Sequence, residues 1–192
     1  MRIIAGEYRS RILKSLKGEA LRPTSDRLRE TLFDVLGANV AGSRFLDVFA
    51  GTGAVGIEAL SRGAAEAVFI ERHAAAAKLI QRNLDSLGIT RGATIFTADA
   101  LAALEKLATR ETSSLPGNFD FVFLDPPYAA HEEYAKMLRL LGSAPADLLA
   151  PGAKIIFEHH HKFALPEVSG RLTRTRVLKQ GDAALSFFCP TA

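Results

Sequence analysis

An apolar run that breaks into closely spaced glycines and then resumes with helical character constrains this chain more than any other feature. The run is Arg44-Phe45-Leu46-Asp47-Val48, the break is Phe49-Ala50-Gly51-Thr52-Gly53-Ala54-Val55-Gly56, and the resumption is Ile57-Glu58-Ala59-Leu60. Strand, glycine-rich turn and helix in this order open a βαβ unit, and the glycines let the backbone come close to a ligand. Three further strand-like runs also end in acids: residues 67–70 close at Glu71, 93–96 lead to Asp99, and 119–124 lead to Asp125. Polar groups at the ends of four successive strands match the place where ligands bind in an open α/β sheet, outside the carboxyl ends of its strands. Helical patterns at 74–87 and 131–141 alternate with strand-like runs at 153–158 and 172–178, and a last run at 183–189 has no helix-length segment before it. That last run is expected to pair antiparallel with a neighbour, which gives a mostly parallel sheet with one reversed strand.

The glycine turn has the form G-x-G-x-x-G, and with Glu71 closing the next strand it suits a dinucleotide or S-adenosylmethionine. Asp47 favours the second. It lies inside the strand, before Gly51, where a carboxylate can face the cationic amino acid moiety of S-adenosylmethionine but would repel a pyrophosphate. Glu71 is placed to accept both ribose hydroxyls in either case. Asp99 suits the adenine amino group or the N-cap of the helix that follows, and the two roles are compatible.

Asp125-Pro126-Pro127-Tyr128 follows an apolar strand and points to a particular chemistry. An exocyclic base nitrogen is a poor nucleophile because its lone pair is delocalised, so a catalyst must hold it and accept hydrogen bonds from its N–H groups. Asp125 and the Pro126 carbonyl can do this, on a loop that two prolines stiffen, while Tyr128 offers a flat face for the base. Taken alone, the motif reads equally as a strand-ending turn; its company with the glycine turn favours methyl transfer.

The net charge of +3 understates the electrostatics of the head. Residues 1–29 hold eight cations (Arg2, Arg9, Arg11, Lys14, Lys17, Arg22, Arg27, Arg29) against three acids, a local net of +5 that suits a polyanion. Residues 2–5 and 9–13 can pair as a short hairpin. A helix then starts at Pro23-Thr24-Ser25-Asp26, with Leu28, Leu32, Phe33 and Leu36 as its apolar stripe and Gly37 as its C-terminal cap. Its N-terminus suits a carboxylate or plain capping by Thr24 or Ser25. The single Cys189 cannot form an internal disulfide, no apolar run approaches the roughly 20 residues of a spanning helix, and a cytoplasmic location is expected. No Cys/His spacing resembles a zinc site, so no metal is expected, and His159-His160-His161 reads as a polar loop.

Residues 6–11, 22–33, 46–53, 125–128 and 181–187 together resemble the RsmD family, bacterial methyltransferases of guanine N2 in 16S ribosomal RNA. The block from Arg22 to Phe33 is the specific part of the likeness, which covers nearly the whole chain; Ser10 stands where the family pattern has glycine, and the triple histidine is unusual. The resemblance implies a class I S-adenosylmethionine-dependent methyltransferase fold, α/β and Rossmann-like. Its sheet would be mostly parallel and seven-stranded with one antiparallel strand, behind a small basic hairpin and helix at residues 1–40, with the methyltransferase domain at 41–192. The expected cofactor is S-adenosylmethionine, at Thr24, Asp47, Phe49, Gly51, Thr52, Gly53, Glu71, Arg72, Asp99 and Ala100. Asp125, Pro126, Pro127 and Tyr128 form the expected catalytic loop, and Arg2, Arg9, Arg11, Lys14, Arg22 and Arg27 the RNA contacts. The implied partner is 16S ribosomal RNA in an assembled or nearly assembled small subunit, acted on by a monomer. An adenine-N6 DNA methyltransferase, a dinucleotide-dependent oxidoreductase and a non-catalytic RNA-binding protein are the alternatives. The first lacks room for a DNA-recognition region, the second a hydride acceptor site, and the third any use for the acid and proline set.

Overall fold

A computed structural model describes residues 1–15, 24–109, 118–144 and 148–191, in two compact units, Met1–Asp99 and Ala100–Ala192. The first unit carries strands β1 (Arg44–Val48), β2 (Glu66–Glu71) and β3 (Ala93–Thr97) and helices α1 (Asp26–Leu36), α2 (Ala54–Ser61) and α3 (Ala74–Leu87). Its strands are parallel in the order β3-β2-β1, with Asp47 opposite Phe69 and Glu71 opposite Thr97. Helix α1 starts as expected: the Ser25 hydroxyl accepts the Leu28 N–H, and Leu28, Leu32, Phe33 and Leu36 are buried. Gly37 ends it with a positive φ of 61°, a conformation that costs L side chains and not glycine.

The expected hairpin at the head is present as a short antiparallel pairing. The Ile3 N–H donates to the Arg11 carbonyl at 3.0 Å, that of Ser10 to Ile3 at 2.9 Å and that of Leu13 to Met1 at 3.1 Å. Ile3 and Leu13 pack into a core with Ala54, Ile57, Phe69 and Ile80, which fastens the head to the strands. Ser10 has a φ of 66°, so the residue in the family's glycine position adopts the left-handed backbone that glycine tolerates. Ser10→Gly is therefore expected to stabilise the fold by about 1 kcal/mol in chemical denaturation.

A buried ion network, invisible in the sequence, completes the attachment. Glu58 is fully buried on α2 and accepts the Ile4 N–H at 2.8 Å and the Ala5 N–H at 3.0 Å. Arg62 Nε donates to the same carboxylate at 2.8 Å, and the fully buried Arg29 lies 3.7 Å from it while donating to the Arg2 carbonyl and to Asp26. Arg29 is thus a structural cation, and the charge available to a polyanion is smaller than the sequence count.

The second unit carries α4 (Ala100–Thr109), β4 (Phe119–Leu124), α5 (His131–Ser143), β5 (Leu149–His160), β6 (Val168–Ser169), β7 (Leu172–Gln180) and β8 (Ala183–Pro190). The strand order is β4-β5-β8-β7-β6, with β4 and β5 parallel. As expected, the last run is reversed: β8 pairs antiparallel with both β5 and β7. The two-residue β6, antiparallel to β7, is reversed as well, so the expected seven strands with one reversed are corrected to eight among the described residues with two reversed, because the segment before β7 pairs on as an extra edge. Strand β5 extends two residues past Glu158, so His159 and His160 belong to a strand and the polar-loop expectation is corrected. The cause is β8, whose backbone supplies partners as far as the pair His160–Ala183.

Candidate functional site

In the first unit the glycine turn is held by two acids. Asp47 is buried near the end of β1, and its Oδ2 accepts the Gly56 N–H at 2.8 Å, which satisfies one of the free donors at the start of α2. Burial pushes its carboxyl up to about 8, with the Gly56 N–H opposing the shift and the charge of Glu71 adding to it. Glu71 bridges two backbones: Oε2 accepts the Gly51 N–H at 2.9 Å and Oε1 the His73 N–H at 2.7 Å. A carboxylate has about four lone-pair sites, so ribose hydroxyls can still be received beside these two bonds.

Gly51 and Gly53 have φ of 55° and 76°, and Phe49, a non-glycine residue in the turn, has 64°. A bulky side chain held in the left-handed region is costly and clusters at ligand sites. Gly56 serves packing instead of ligand approach, because a Cβ there would sit 2.4 Å from the Phe69 ring. Thr52 is buried, and its carbonyl accepts Asn83 Nδ2 at 3.1 Å. Asn83 also donates to the Lys14 carbonyl at 3.2 Å and accepts its N–H at 2.8 Å, which ties the end of the head to the glycine turn. Sequence reasoning missed Asn83, although a polar residue within the apolar stripe of Ile80, Leu84 and Leu87 was a usable signal.

Hydrogen bonds thus gather Asp47, Gly51 and Glu71 around one turn. The remaining expected cofactor residues are placed less directly: Arg72 is exposed with its Nε 3.1 Å from His73 Nε2, Asp99 is exposed after β3, and Ala100 is buried at the start of α4. Thr24 is buried ahead of α1, its carbonyl accepting Arg29 Nη1. Arg2, Arg9, Arg11, Lys14 and Arg27 are all exposed, and Arg22 lies outside the described residues. Arg2, Arg9 and Arg27, with Asp26 and Glu30, line a cleft of about 490 Å³.

In the second unit the Asp125-Pro126-Pro127-Tyr128 loop leaves β4 with Pro126 buried and Pro127 exposed. Tyr134, one turn into α5 and almost wholly buried, places its hydroxyl 3.1 Å from both the Pro126 and the Glu158 carbonyls. Burial, followed by the charge of Asp125, pushes that phenol well above its ordinary range, so it stays a donor. The Pro126 carbonyl is therefore turned toward a buried hydroxyl, not outward as the paired prolines suggest. The Pro127 carbonyl accepts the Ala130 N–H at 2.8 Å, and the Tyr128 hydroxyl donates to the buried Glu158 Oε1 at 3.2 Å. Neither Tyr134 nor Glu158 stood out in the sequence, since both read as ordinary members of a helix and a strand. Tyr134→Phe leaves two carbonyls to share no donor and is expected to cost about 1–3 kcal/mol of stability in urea unfolding.

His159 is buried behind this loop. Its Nδ1 is 3.0 Å from the His160 carbonyl, which can only accept, so Nδ1 carries the proton and Nε2 accepts from the Ser186 hydroxyl at 2.8 Å. Burial holds this imidazole below its ordinary value, in keeping with a neutral ring.

A family model described as "Conserved hypothetical protein 95" matches residues 1–189. The chain is 38% identical over 188 residues, 98% of each chain, to the Bacillus subtilis (strain 168) protein named "Putative rRNA methyltransferase YlbH". It is 35% identical to the Escherichia coli (strain K12) ribosomal RNA small subunit methyltransferase D over 190 residues, 98% of this chain and 89% of that one. A solved structure, "Putative methyltransferase yhhF from Escherichia coli", superimposes with a TM-score of 0.82 at 34% identity, covering 100% of this chain and 98% of that one.

Proposed function

The chain belongs to the RsmD family, also described as conserved hypothetical protein 95, and from that premise we propose that it methylates the exocyclic N2 of a guanine in 16S ribosomal RNA, using S-adenosylmethionine. Its fold is the α/β, Rossmann-like fold of class I methyltransferases. The substrate is an assembled or nearly assembled small ribosomal subunit, met by a monomer in the cytoplasm. The observation that carries this reading is the braced loop: Asp125 directly follows β4, and Pro126 and Tyr128 are each held by a buried partner, Tyr134 and Glu158.

The residues of the glycine turn suit the cofactor chemically. Asp47 offers a carboxylate to an ammonium, Glu71 has acceptor capacity beyond its two backbone bonds for ribose hydroxyls, and the left-handed turn lets backbone approach. When bound, S-adenosylmethionine would supply a methyl group on a sulfonium, which an attacking nitrogen would take in line as the carbon–sulfur bond breaks and the thioether leaves. Asp125 and the Pro126 carbonyl accept the N2 amino hydrogens. This favours a pyramidal nitrogen and supports the positive charge that develops on it. Holding that nitrogen in attack geometry supplies much of the acceleration. Tyr128 stacks on the base, a contact worth about 1–3 kcal/mol and available once the guanine is turned out of its RNA surroundings. Residues 1–40 act as the RNA-contacting head through Arg2, Arg9, Arg11, Lys14, Arg22 and Arg27.

The test is incubation with labelled S-adenosylmethionine and, in parallel, unmethylated small subunits, naked 16S RNA and DNA, followed by mapping of the modified nucleoside. Label in N2-methylguanine from the subunit arm is the expected result. Label in DNA adenine, or in no arm, would overturn it.

A further inference from the structure

The run His159-His160-His161 is not used by the chemistry above, and its surroundings give it a different role. The antiparallel register of β5 and β8 sets His160 opposite Ala183, so the turn between β7 and β8 delivers Asp182 to the end of the run. The His161 N–H donates to the Asp182 carbonyl at 2.9 Å, which locks the two loops together. One ligand atom from each of His160, His161 and Asp182 lies within 4.8 Å of the others. His161 Nδ1 is screened from solvent, has no hydrogen-bond partner and sits 4.0 Å from Asp182 Oδ1. Neighbouring side chains on a strand point to opposite faces. These two rings, one at the strand end and one beyond it, instead stack at 4.7 Å between centroids.

We propose that His160, His161 and Asp182 bind one divalent transition-metal ion of the zinc type, with water completing the coordination. Imidazole nitrogen and carboxylate oxygen suit zinc, and three protein ligands with an open position form a known pattern for it. Ligand atoms about 2.0–2.2 Å from a tetrahedral ion stand roughly 3.4 Å apart, so the three must close by little more than an ångström. The side chain of Asp182 is 66% exposed and can turn to do so while the site stays open to solvent. The charge beside the cluster is Lys162, whose N–H donates to His160 Nδ1 at 3.2 Å. That N–H is exposed and can be taken over by water. His160 also meets the Tyr128 ring edge-on at 5.8 Å, so an ion that fixes His160 fixes a neighbour of the candidate catalytic loop.

The test is calorimetric titration of the metal-free, untagged full chain with Zn²⁺, in the absence of RNA and cofactor, so that its outcome is independent of the methyl-transfer reading. One ion per chain is expected. His161→Ala and Asp182→Asn are each expected to weaken binding about tenfold or more, while His73→Ala leaves it unchanged. Asp182→Asn alters an exposed side chain and keeps the test meaningful if a histidine variant folds poorly. Absence of saturable binding to the parent chain, or unchanged affinity in Asp182→Asn, would overturn the site.

Discussion

Asp125→Ala is expected to lower methyl transfer by about 100- to 1,000-fold, the scale seen when one preorganised electrostatic partner of a transition state is removed, while S-adenosylmethionine binds as before. The loop's shape comes from Tyr134 on the Pro126 carbonyl, from the Ala130 N–H on the Pro127 carbonyl, and from Glu158 on Tyr128. Removing the half-buried Asp125 carboxylate takes away an acceptor for the amino nitrogen, while these three bonds to the loop remain available. Single-turnover assays with small subunits, run beside calorimetric titration of the cofactor, separate the two effects. Undiminished turnover would refute the role given to Asp125, and joint loss of turnover and cofactor binding would show a collapsed site instead. Asp125→Asn is the informative companion. It keeps one carbonyl acceptor but not the negative charge, so partial activity would divide hydrogen bonding from charge stabilisation.

Much of this was legible in the chain because it is local. The stripe of Leu28, Leu32, Phe33 and Leu36 marks α1, a Ser hydroxyl three residues before Leu28 caps it, and α3 spans Ala74–Leu87 as its periodicity requires. The glycine turn and the acids after the strands were legible for the same reason: each is a short pattern whose meaning depends on its neighbours. What escaped depends on residues far apart in the chain. Glu58 accepts N–H groups 54 and 53 positions away, and Asn83 holds Lys14 across 69. Tyr134 reaches Glu158 across 24, and Asp182 meets His161 only because of the β5–β8 register. Periodicity cannot tell a buried Glu on α2 that staples the head from a solvated one. The left-handed Ser10 stands between these cases, since a departure from the family's glycine already pointed to the place where the backbone is strained.

Asp47 gives the second large effect, and it is a pH effect. Its carboxyl is pushed from an ordinary value of 3.8 up to about 8 by burial. A group whose native value is raised gives stability that is fully present below the unfolded value and is lost as pH rises through the native one. The cofactor-free protein is therefore expected to lose stability progressively between about pH 4 and pH 8 on this account, and to level off above. Cofactor affinity runs the other way. An ammonium pairs with the ionised form, so the affinity for S-adenosylmethionine is expected to rise by about tenfold between pH 6 and 7, with a proton released on binding, and to flatten toward pH 8, where Asp47 is about half ionised and the ammonium begins to lose its own proton. Asp47→Asn separates the two. The amide oxygen still accepts the Gly56 N–H that Asp47 Oδ2 accepts at 2.8 Å, so the start of α2 keeps its partner. The variant cannot ionise, so its unfolding free energy, measured in urea across this range, loses that slope. Its cofactor affinity is expected to fall about 10- to 100-fold at pH 8, the worth of a hydrogen bond to a charged group, and to lose most of its pH dependence. Calorimetry in buffers of different ionisation enthalpy counts the proton directly. A parent chain that binds the cofactor equally well at pH 6 and pH 8, with no proton released, would place the ammonium away from Asp47.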